Sequence, residues 1–333
     1  MVKTIRWGII GCGKIAAKFV SDLKLVDEAE VYAVAARSLD AAAAFATKHQ
    51  ASKAYGSYSE LVQDEAVDVI YIATPHNFHY EHAMLCMAHG KAVLCEKPFA
   101  INTLQAKEMI DFARQKKIFL MEALWTKFLP HYQQLMHLIQ EGKLGAIKSV
   151  LINFGFKPQP PVSPRLFDPQ LGGGTMLDIG IYNVFMALSV LGKPQQIQAV
   201  MTPHAVTGVD EQCAVLFTYA NGAIAQLYAS FVTTLPTEAE IAGTMGSVRL
   251  TSRFYEPSST IQYYPFSVRE TTAIEVPKEA GFGYQYEARH VNECLQQGLI
   301  ESPVWQHADT LLLMETLDII RKIAGIRYPE DDY

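Results

Sequence analysis

Through the first 120 residues, short apolar runs alternate with stretches whose apolar positions recur every three to four residues. Residues 5–10, 30–38, 67–73, 91–95 and 118–121 read as buried strands, and 81–89 and 103–116 read as helices. Such alternation predicts a doubly wound parallel sheet, because parallel neighbours need a crossover helix between them. From about residue 148 the period falls to two, with strands expected at 149–156, 197–201, 213–219, 224–231, 239–242, 247–251 and 260–263. Asn221-Gly222 between two of these runs is a hairpin signal, since both residues tolerate positive φ. An amphipathic helix over 308–323 and a short acidic tail at 329–333 close the chain. The expected fold class is therefore α/β: a Rossmann-type domain over residues 1–122, then an α+β domain over 123–333 built on a large, mainly antiparallel open sheet. One face of an open sheet needs cover, so a homodimer or higher homo-oligomer through that sheet is expected.

Chemistry enters at the first turn. Gly11-Cys12-Gly13-Lys14-Ile15-Ala16 follows the first strand and opens a helix, giving the pattern G-x-G-x-x-A. Gly11 permits the tight turn, Gly13 lets backbone amides approach a pyrophosphate, and Ala16 lets the helix pack on the strand. Phosphates then sit at a helix N-terminus, where free amides and the dipole favour negative charge. An NAD-binding chain usually ends its second strand with Asp or Glu, which bonds the ribose 2′-hydroxyl. Here Ala36-Arg37-Ser38 stands at that place, removing the repelling anion and supplying a guanidinium and a hydroxyl for a 2′-phosphate. NADP(H) is the expected cofactor, with NAD possible. Lys97, in Cys95-Glu96-Lys97-Pro98, ends a further apolar strand and is expected to face that cofactor.

Composition narrows the rest. Of 333 residues half are apolar, enough for two cores, and 34 acidic against 28 basic residues leave a net charge of -6. A nucleic-acid partner normally requires a basic surplus, so none is expected. No uninterrupted apolar run reaches the roughly 18 residues a membrane helix needs, and Met1-Val2-Lys3 leads straight toward the glycine turn without a signal peptide pattern. Five cysteines without a C-x-x-C pair argue against a disulfide framework or structural zinc and fit a reducing cytoplasm. His76-x-x-His79-x-x-His82 has the look of a ligand set, but no acidic pair completes it and no metal is expected. Five prolines within 157–169, followed by Gly172-Gly173-Gly174, predict an extended segment without helix or sheet, either covering a site or linking domains.

The glycine turn, Ala73-Thr74-Pro75-His76-Asn77-Phe78-His79, Glu96-Lys97-Pro98 and Gly172-Gly173-Gly174-Thr175-Met176-Leu177-Asp178-Ile179-Gly180-Ile181-Tyr182 together resemble the glucose-fructose oxidoreductase, inositol dehydrogenase and MocA (Gfo/Idh/MocA) family. The likeness covers almost the whole chain, to Tyr286-Glu287-Ala288-Arg289-His290-Val291. Met121-Glu122-Ala123-Leu124-Trp125-Thr126-Lys127-Phe128, and Tyr182 where many sugar and inositol dehydrogenases have His, are similar to the branch of dimeric dihydrodiol and NADP-dependent D-xylose dehydrogenases. The resemblance implies hydride transfer with a secondary alcohol or hemiacetal carbon of a sugar or cyclic diol. It places Cys12, Lys14, Ile15, Thr74, Pro75, His76, His79, Glu96 and Lys97 along the cofactor. It makes Lys97 and Tyr182 the catalytic pair, with Asp178 orienting substrate hydroxyls or Lys97. A tyrosine of pKa about 10 needs a nearby cation to act as a base at neutral pH, and either Lys97 or Tyr182 carries the proton. Trp125, Phe154, Phe156, Arg165 and Phe282 are expected to wall the substrate pocket. The reading from another class is a catalytically silent NADP(H)-binding sensor.

Overall fold

Continuous apolar strands linked by helices give a six-stranded parallel sheet in the order β3-β2-β1-β4-β5-β6, in a computed structural model that describes residues 3–266 and 271–331. The strands are β1 (Ile5–Ile10), β2 (Ala29–Ala35), β3 (Lys53–Tyr55), β4 (Val69–Ile72), β5 (Ala92–Glu96) and β6 (Leu120–Ala123). Every adjacent pair is parallel. Between them run α1 (Lys14–Leu23), α2 (Leu39–His49), α3 (Tyr58–Val62), α4 (His79–Ala88) and α5 (Thr103–Lys116). The core is what an internal parallel sheet requires, with Trp7, Ile9, Val34, Ile70 and Leu94 fully buried. Gly8 belongs to it too, because a Cβ there would lie 3.0 Å from Leu61 and Val67.

The chain forms two compact units, Met1–Trp125 with Glu279–Leu311, and Thr126–Lys278 with Leu312–Tyr333. Sequence reading assigned everything beyond residue 122 to the second domain, whereas 279–311 packs with the first. Buried polar anchors explain this. Trp7 Nε1 donates to Asn292 Oδ1 at 3.0 Å, and Trp305 Nε1 and Thr310 Oγ1 donate to Glu122 Oε2 at 3.2 and 2.9 Å. Asp22, at the end of α1, accepts from the Phe282 and Tyr284 amides at 2.9 Å and so caps the helix Tyr284–Gln296. We expect Asp22→Ala to strand these amides at a cost of about 3 kcal/mol, lowering the calorimetric Tm by several degrees. An unchanged Tm would show that the cap contributes nothing.

The second unit is built on an eight-stranded sheet in the order β14-β13-β12-β11-β7-β10-β9-β8. Its members are β7 (Ile147–Gly155), β8 (Gln196–Pro203), β9 (Asp210–Thr218), β10 (Ile224–Ser230), β11 (Ala239–Gly243), β12 (Gly246–Thr251), β13 (Thr260–Pro265) and β14 (Thr272–Ile274). Pairing is antiparallel except between β7 and β10. Alternation puts Val150, Ile152, Phe154, Val215 and Leu227 inward. Two helices, α6 (Pro130–Gln140) and α7 (Ile181–Leu191), belong to this unit. Asn183 of α7 donates to the Tyr228 carbonyl at 3.0 Å, placing the helix on the sheet's inner face.

One expectation changes. The proline-rich stretch is not wholly extended: Pro164–Phe167 and Pro169–Leu171 are short helical turns, each begun by a proline whose fixed φ suits a first helical position. Pro169–Leu191 is long and apolar enough to cross a membrane by length and composition alone, but most of its most apolar window is buried within the fold and turns interrupt it. Asp332 and Tyr333 of the expected acidic tail, and Met1 and Val2 before β1, lie outside the described residues.

Candidate functional site

In the first unit the carboxyl ends of three neighbouring strands, β1, β4 and β5, deliver Gly11–Gly13, Thr74–His79 and Lys97 in turn. Ligands of open α/β sheets bind at this edge. Gly11 has φ +94°, and a Cβ there would meet the Ala73 carbonyl at 2.7 Å, so only glycine fits. Gly13 caps α1 without any side-chain acceptor, and a Cβ at this position would meet nothing within 4 Å. Gly13, Lys14 and Ile15 are exposed, and α1 carries no acidic residue in its first turn. Open space over an uncapped helix start fits a dinucleotide pyrophosphate. Burial pushes Cys12 up to about 11, so it is a neutral thiol, with Sγ 3.6 Å from the Ala35 carbonyl.

Arg37 is exposed at the end of β2. Ser38 accepts from the Ala41 amide at 3.3 Å as the cap of α2, which leaves its hydroxyl proton to donate elsewhere. Sequence reading missed the aromatic residues beside them. Tyr58 packs edge-on against His82 with centroids 4.6 Å apart, and His82 Nδ1 lies 3.0 Å from Thr74 Oγ1. Burial pushes Tyr58 up, and the Arg37 guanidinium beside it pulls the other way. The signal was a lone Tyr in a five-residue helix, too short for periodicity.

Lys97 is half-buried, and two contacts shape its surroundings. The Tyr71 hydroxyl donates to Glu96 Oε1, and the Lys97 amide donates to Glu96 Oε2 at 3.2 Å. Tyr71 is fully buried and stays a neutral donor, since desolvation pushes its pKa well up. His79 is buried, with Nδ1 2.8 Å from the Pro98 carbonyl and Nε2 2.9 Å from the Thr74 carbonyl. It thereby ties the loop after β4 to the loop after β5. Burial pushes His79 down to about 4, against the opposing pull of the two carbonyls that face its ring nitrogens. His76 is also buried, its ring 5.8 Å from that of His79. The three histidines are thus tied to these loops, and among the described residues no three metal-ligating side chains cluster.

In the second unit a π-helical turn, Met176–Gly180, runs into α7 and carries Asp178 just ahead of Tyr182. Such turns widen the helix by one residue and recur at functional sites. Arg165 Nη2 donates to Asp178 Oδ1 at 3.0 Å, so the proline-rich loop meets the turn here. Tyr182, 5% exposed, lies 5.9 Å from Phe154 and 5.0 Å from Tyr255 between ring centroids, and Phe154 stacks on Tyr255 at 4.4 Å. Burial pushes Tyr255 up to about 12, which removes it as a base near neutrality. Tyr255 was not foreseen: it follows two non-glycine residues of positive φ, Ser252 and Arg253, an irregular connection without periodicity.

The structure therefore brings Phe154, Arg165, Asp178 and Tyr182 together, and Phe156 packs on Phe231 with centroids 5.2 Å apart. Trp125 and Phe282 belong to the first unit. Trp125 stacks on Tyr284 at 4.5 Å, and Phe282 is 47% exposed with Lys18 Nζ 5.3 Å from its ring centre.

Comparison with known proteins agrees with both halves. Residues 5–124 match the model of an oxidoreductase family with an NAD-binding Rossmann fold (GFO_IDH_MocA), and residues 132–249 match the GFO/IDH/MocA C-terminal domain. The trans-1,2-dihydrobenzene-1,2-diol dehydrogenase of Homo sapiens is 40% identical over 335 residues, covering 98% of this chain and 99% of its own. A 3-ketoreductase from Actinomadura kijaniata, solved with NADP and TDP-benzene, superposes with a TM-score of 0.85 at 26% identity, covering 97% of this chain and 98% of its own. An aldose-aldose oxidoreductase from Caulobacter crescentus shares the fold, with a TM-score of 0.88 at 20% identity over 97% of this chain and 98% of its own.

Proposed function

The chain belongs to the Gfo/Idh/MocA oxidoreductase family, and on that premise we propose that it is an NADP-dependent dehydrogenase of a cyclic trans-diol or an aldose. Hydride passes between the nicotinamide and a secondary alcohol or hemiacetal carbon. The observation that carries this reading is the succession of glycine turn, Thr74–His79 loop and Lys97 at the ends of three adjacent parallel strands. The dihydrodiol dehydrogenase relatives support the diol, and the NADP held by the 3-ketoreductase supports the cofactor.

When bound, the nicotinamide supplies the hydride acceptor. Backbone amides at Gly11–Ile15 would hold its pyrophosphate, and Arg37 and Ser38 would hold the 2′-phosphate. The Lys97 ammonium stabilises negative charge on the substrate oxygen as hydride departs. The hydroxyl proton would pass to a Tyr182 phenolate, or to Lys97 when its side chain is the neutral amine, as the hydride leaves the carbon, and a carbonyl remains. Asp178, oriented by Arg165, accepts from a second substrate hydroxyl, and Phe154 with Tyr255 offers aromatic surface to the ring that carries it. The test is NADP reduction by a panel of trans-dihydrodiols and aldoses; turnover of one supports the reading, and none on the whole panel counts against it.

Arg37→Asp should lower the NADP-to-NAD ratio of kcat/KM by about 100-fold, since a charge-assisted contact of about 3 kcal/mol is replaced by repulsion. An unchanged ratio would remove Arg37 from the phosphate site.

The outer face of the large sheet supports self-association. Two cross-strand rows, Leu151-Gln226-Leu216-Gln198 and Asn153-Tyr228-Ala214-Val200, point outward, with Val200 67% exposed. A second copy covering this face is the homodimer of the present reading. Free thiols at all five cysteines support a cytoplasmic setting.

A further inference from the structure

Near its end the chain returns to the loop that introduces Asp178 and Tyr182. Tyr328, 2% exposed, donates its hydroxyl to the Gly173 carbonyl at 2.6 Å. A buried tyrosine of this kind is an expensive way to close a chain unless the bond holds something in place. Tyr328 is itself fixed. Its amide donates to Asp331 Oδ2 at 2.9 Å, and Arg321, 3% exposed, bridges the same carboxylate at 2.7 Å through Nη1. Asp318 also pairs with Arg321, whose guanidinium lies 5.2 Å from the Tyr328 ring centre. Two carboxylates thus balance one buried guanidinium, a network that resists displacement because any loosening leaves charge unpaired.

What Tyr328 grips has little slack. The Gly173 amide donates to the Asp168 carbonyl at 2.9 Å and the Gly174 amide to the Leu166 carbonyl at 2.9 Å. A Cβ on Gly173 would sit 2.7 Å from the Arg165 carbonyl, and Gly174 has φ +114°. The next two residues are anchored as well, with Thr175 Oγ1 and the Met176 amide donating to Asp210 Oδ2 at 2.6 and 2.7 Å. Both ends of the Arg165–Asp178 pair therefore meet at the Gly173 peptide: Arg165 precedes the turn that Gly173 and Gly174 fasten, and Asp178 follows them. Gly173 thus lies in the chain between the two partners of this ion pair, and the π turn connects Asp178 directly to Tyr182.

We infer that Tyr328 is a positioning residue for the substrate half of the site, setting Arg165, Asp178 and Tyr182 through its bond to Gly173. It is buried, with its hydroxyl committed to the Gly173 carbonyl, and so acts through other residues. The kinetic consequence rests on the dehydrogenase reading, whereas the structural one does not.

The test compares wild type, Tyr328→Phe and Asp331→Asn by hydrogen exchange, Tm, NADPH Kd from fluorescence, and kinetics. Tyr328→Phe removes one hydroxyl and keeps the ring. Amides of residues 174–182 should exchange about tenfold faster, as expected for losing one buried bond, while those of 5–23 are unchanged. The kcat for the alcohol should fall about tenfold at unchanged NADPH Kd, with Tm within a few degrees of wild type. Asp331→Asn, which keeps the hydroxyl but loosens its clamp, should give a smaller change of the same kind, and it carries the test if Tyr328→Phe does not fold. Wild-type exchange at 174–182 overturns the inference, as does a loss of kcat that is matched by a general loss of protection and of NADPH affinity. If wild type turns over no alcohol, the dehydrogenase reading fails and the exchange measurement alone decides the role of Tyr328.

Discussion

Lys97→Ala is expected to lower kcat by about a thousandfold while leaving the Kd for NADPH within a few-fold of wild type. The size follows from the loss of a preorganised charge at a developing oxyanion, which costs about 100- to 1000-fold. The small effect on binding follows from where the cofactor is held. The uncapped start of α1, the open space over Gly13 and the exposed Arg37 all lie apart from Lys97 in sequence and belong to other strand ends. Glu96 remains fixed by the buried Tyr71 hydroxyl, so the loop has a reason to keep its shape when the ammonium is gone. Stopped-flow kinetics with a parallel fluorescence titration checks both parts. Weakened NADPH binding at undiminished kcat would make Lys97 a cofactor ligand only.

Tyr182→Phe should cost about 100-fold in kcat with little change in Tm. Phenylalanine keeps the contacts with Phe154 and Tyr255 and loses only the hydroxyl, so packing is preserved while proton transfer is not. The companion variant Tyr255→Phe should lose less than about tenfold, because burial holds Tyr255 as a neutral phenol that cannot serve as the base. Equal losses in the two variants would mean that the aromatic surface matters and the Tyr182 hydroxyl does not.

Regular elements were the legible part of this fold. The parallel strands are continuous apolar runs bounded by polar turns, and α5 was read at its observed limits, Thr103–Lys116, because its apolar positions keep helical spacing throughout. The antiparallel strands betrayed themselves by period two and by Asn221-Gly222. Three-residue strands such as β3 and β14 carry too few positions for any period, and were not foreseen. The packing of 279–311 with the first unit was invisible for another reason: it depends on pairs such as Trp7 with Asn292, 285 positions apart, which no local pattern encodes.

The site divided along the same line. Gly11, Gly13, Arg37 and Lys97 are legible as candidates because each follows a strand and its residue type suits the chemistry expected there. The proximity of Arg165 to Asp178 was not derivable, since it joins an irregular loop to a π turn. Tyr58, Tyr255 and Tyr328 escaped notice as single aromatic residues, for which core packing is the ordinary expectation.

Direct transfer of hydride between substrate carbon and nicotinamide is the central claim. The most direct measurement takes the best alcohol of the diol and aldose panel, deuterated at the reacting carbon, incubates it with NADP and the enzyme, and analyses the NADPH by mass spectrometry and NMR. One deuterium at C4 of the nicotinamide, on a single face, is the predicted result. NADPH without label, or NADP bound and never reduced by any member of the panel, would contradict it.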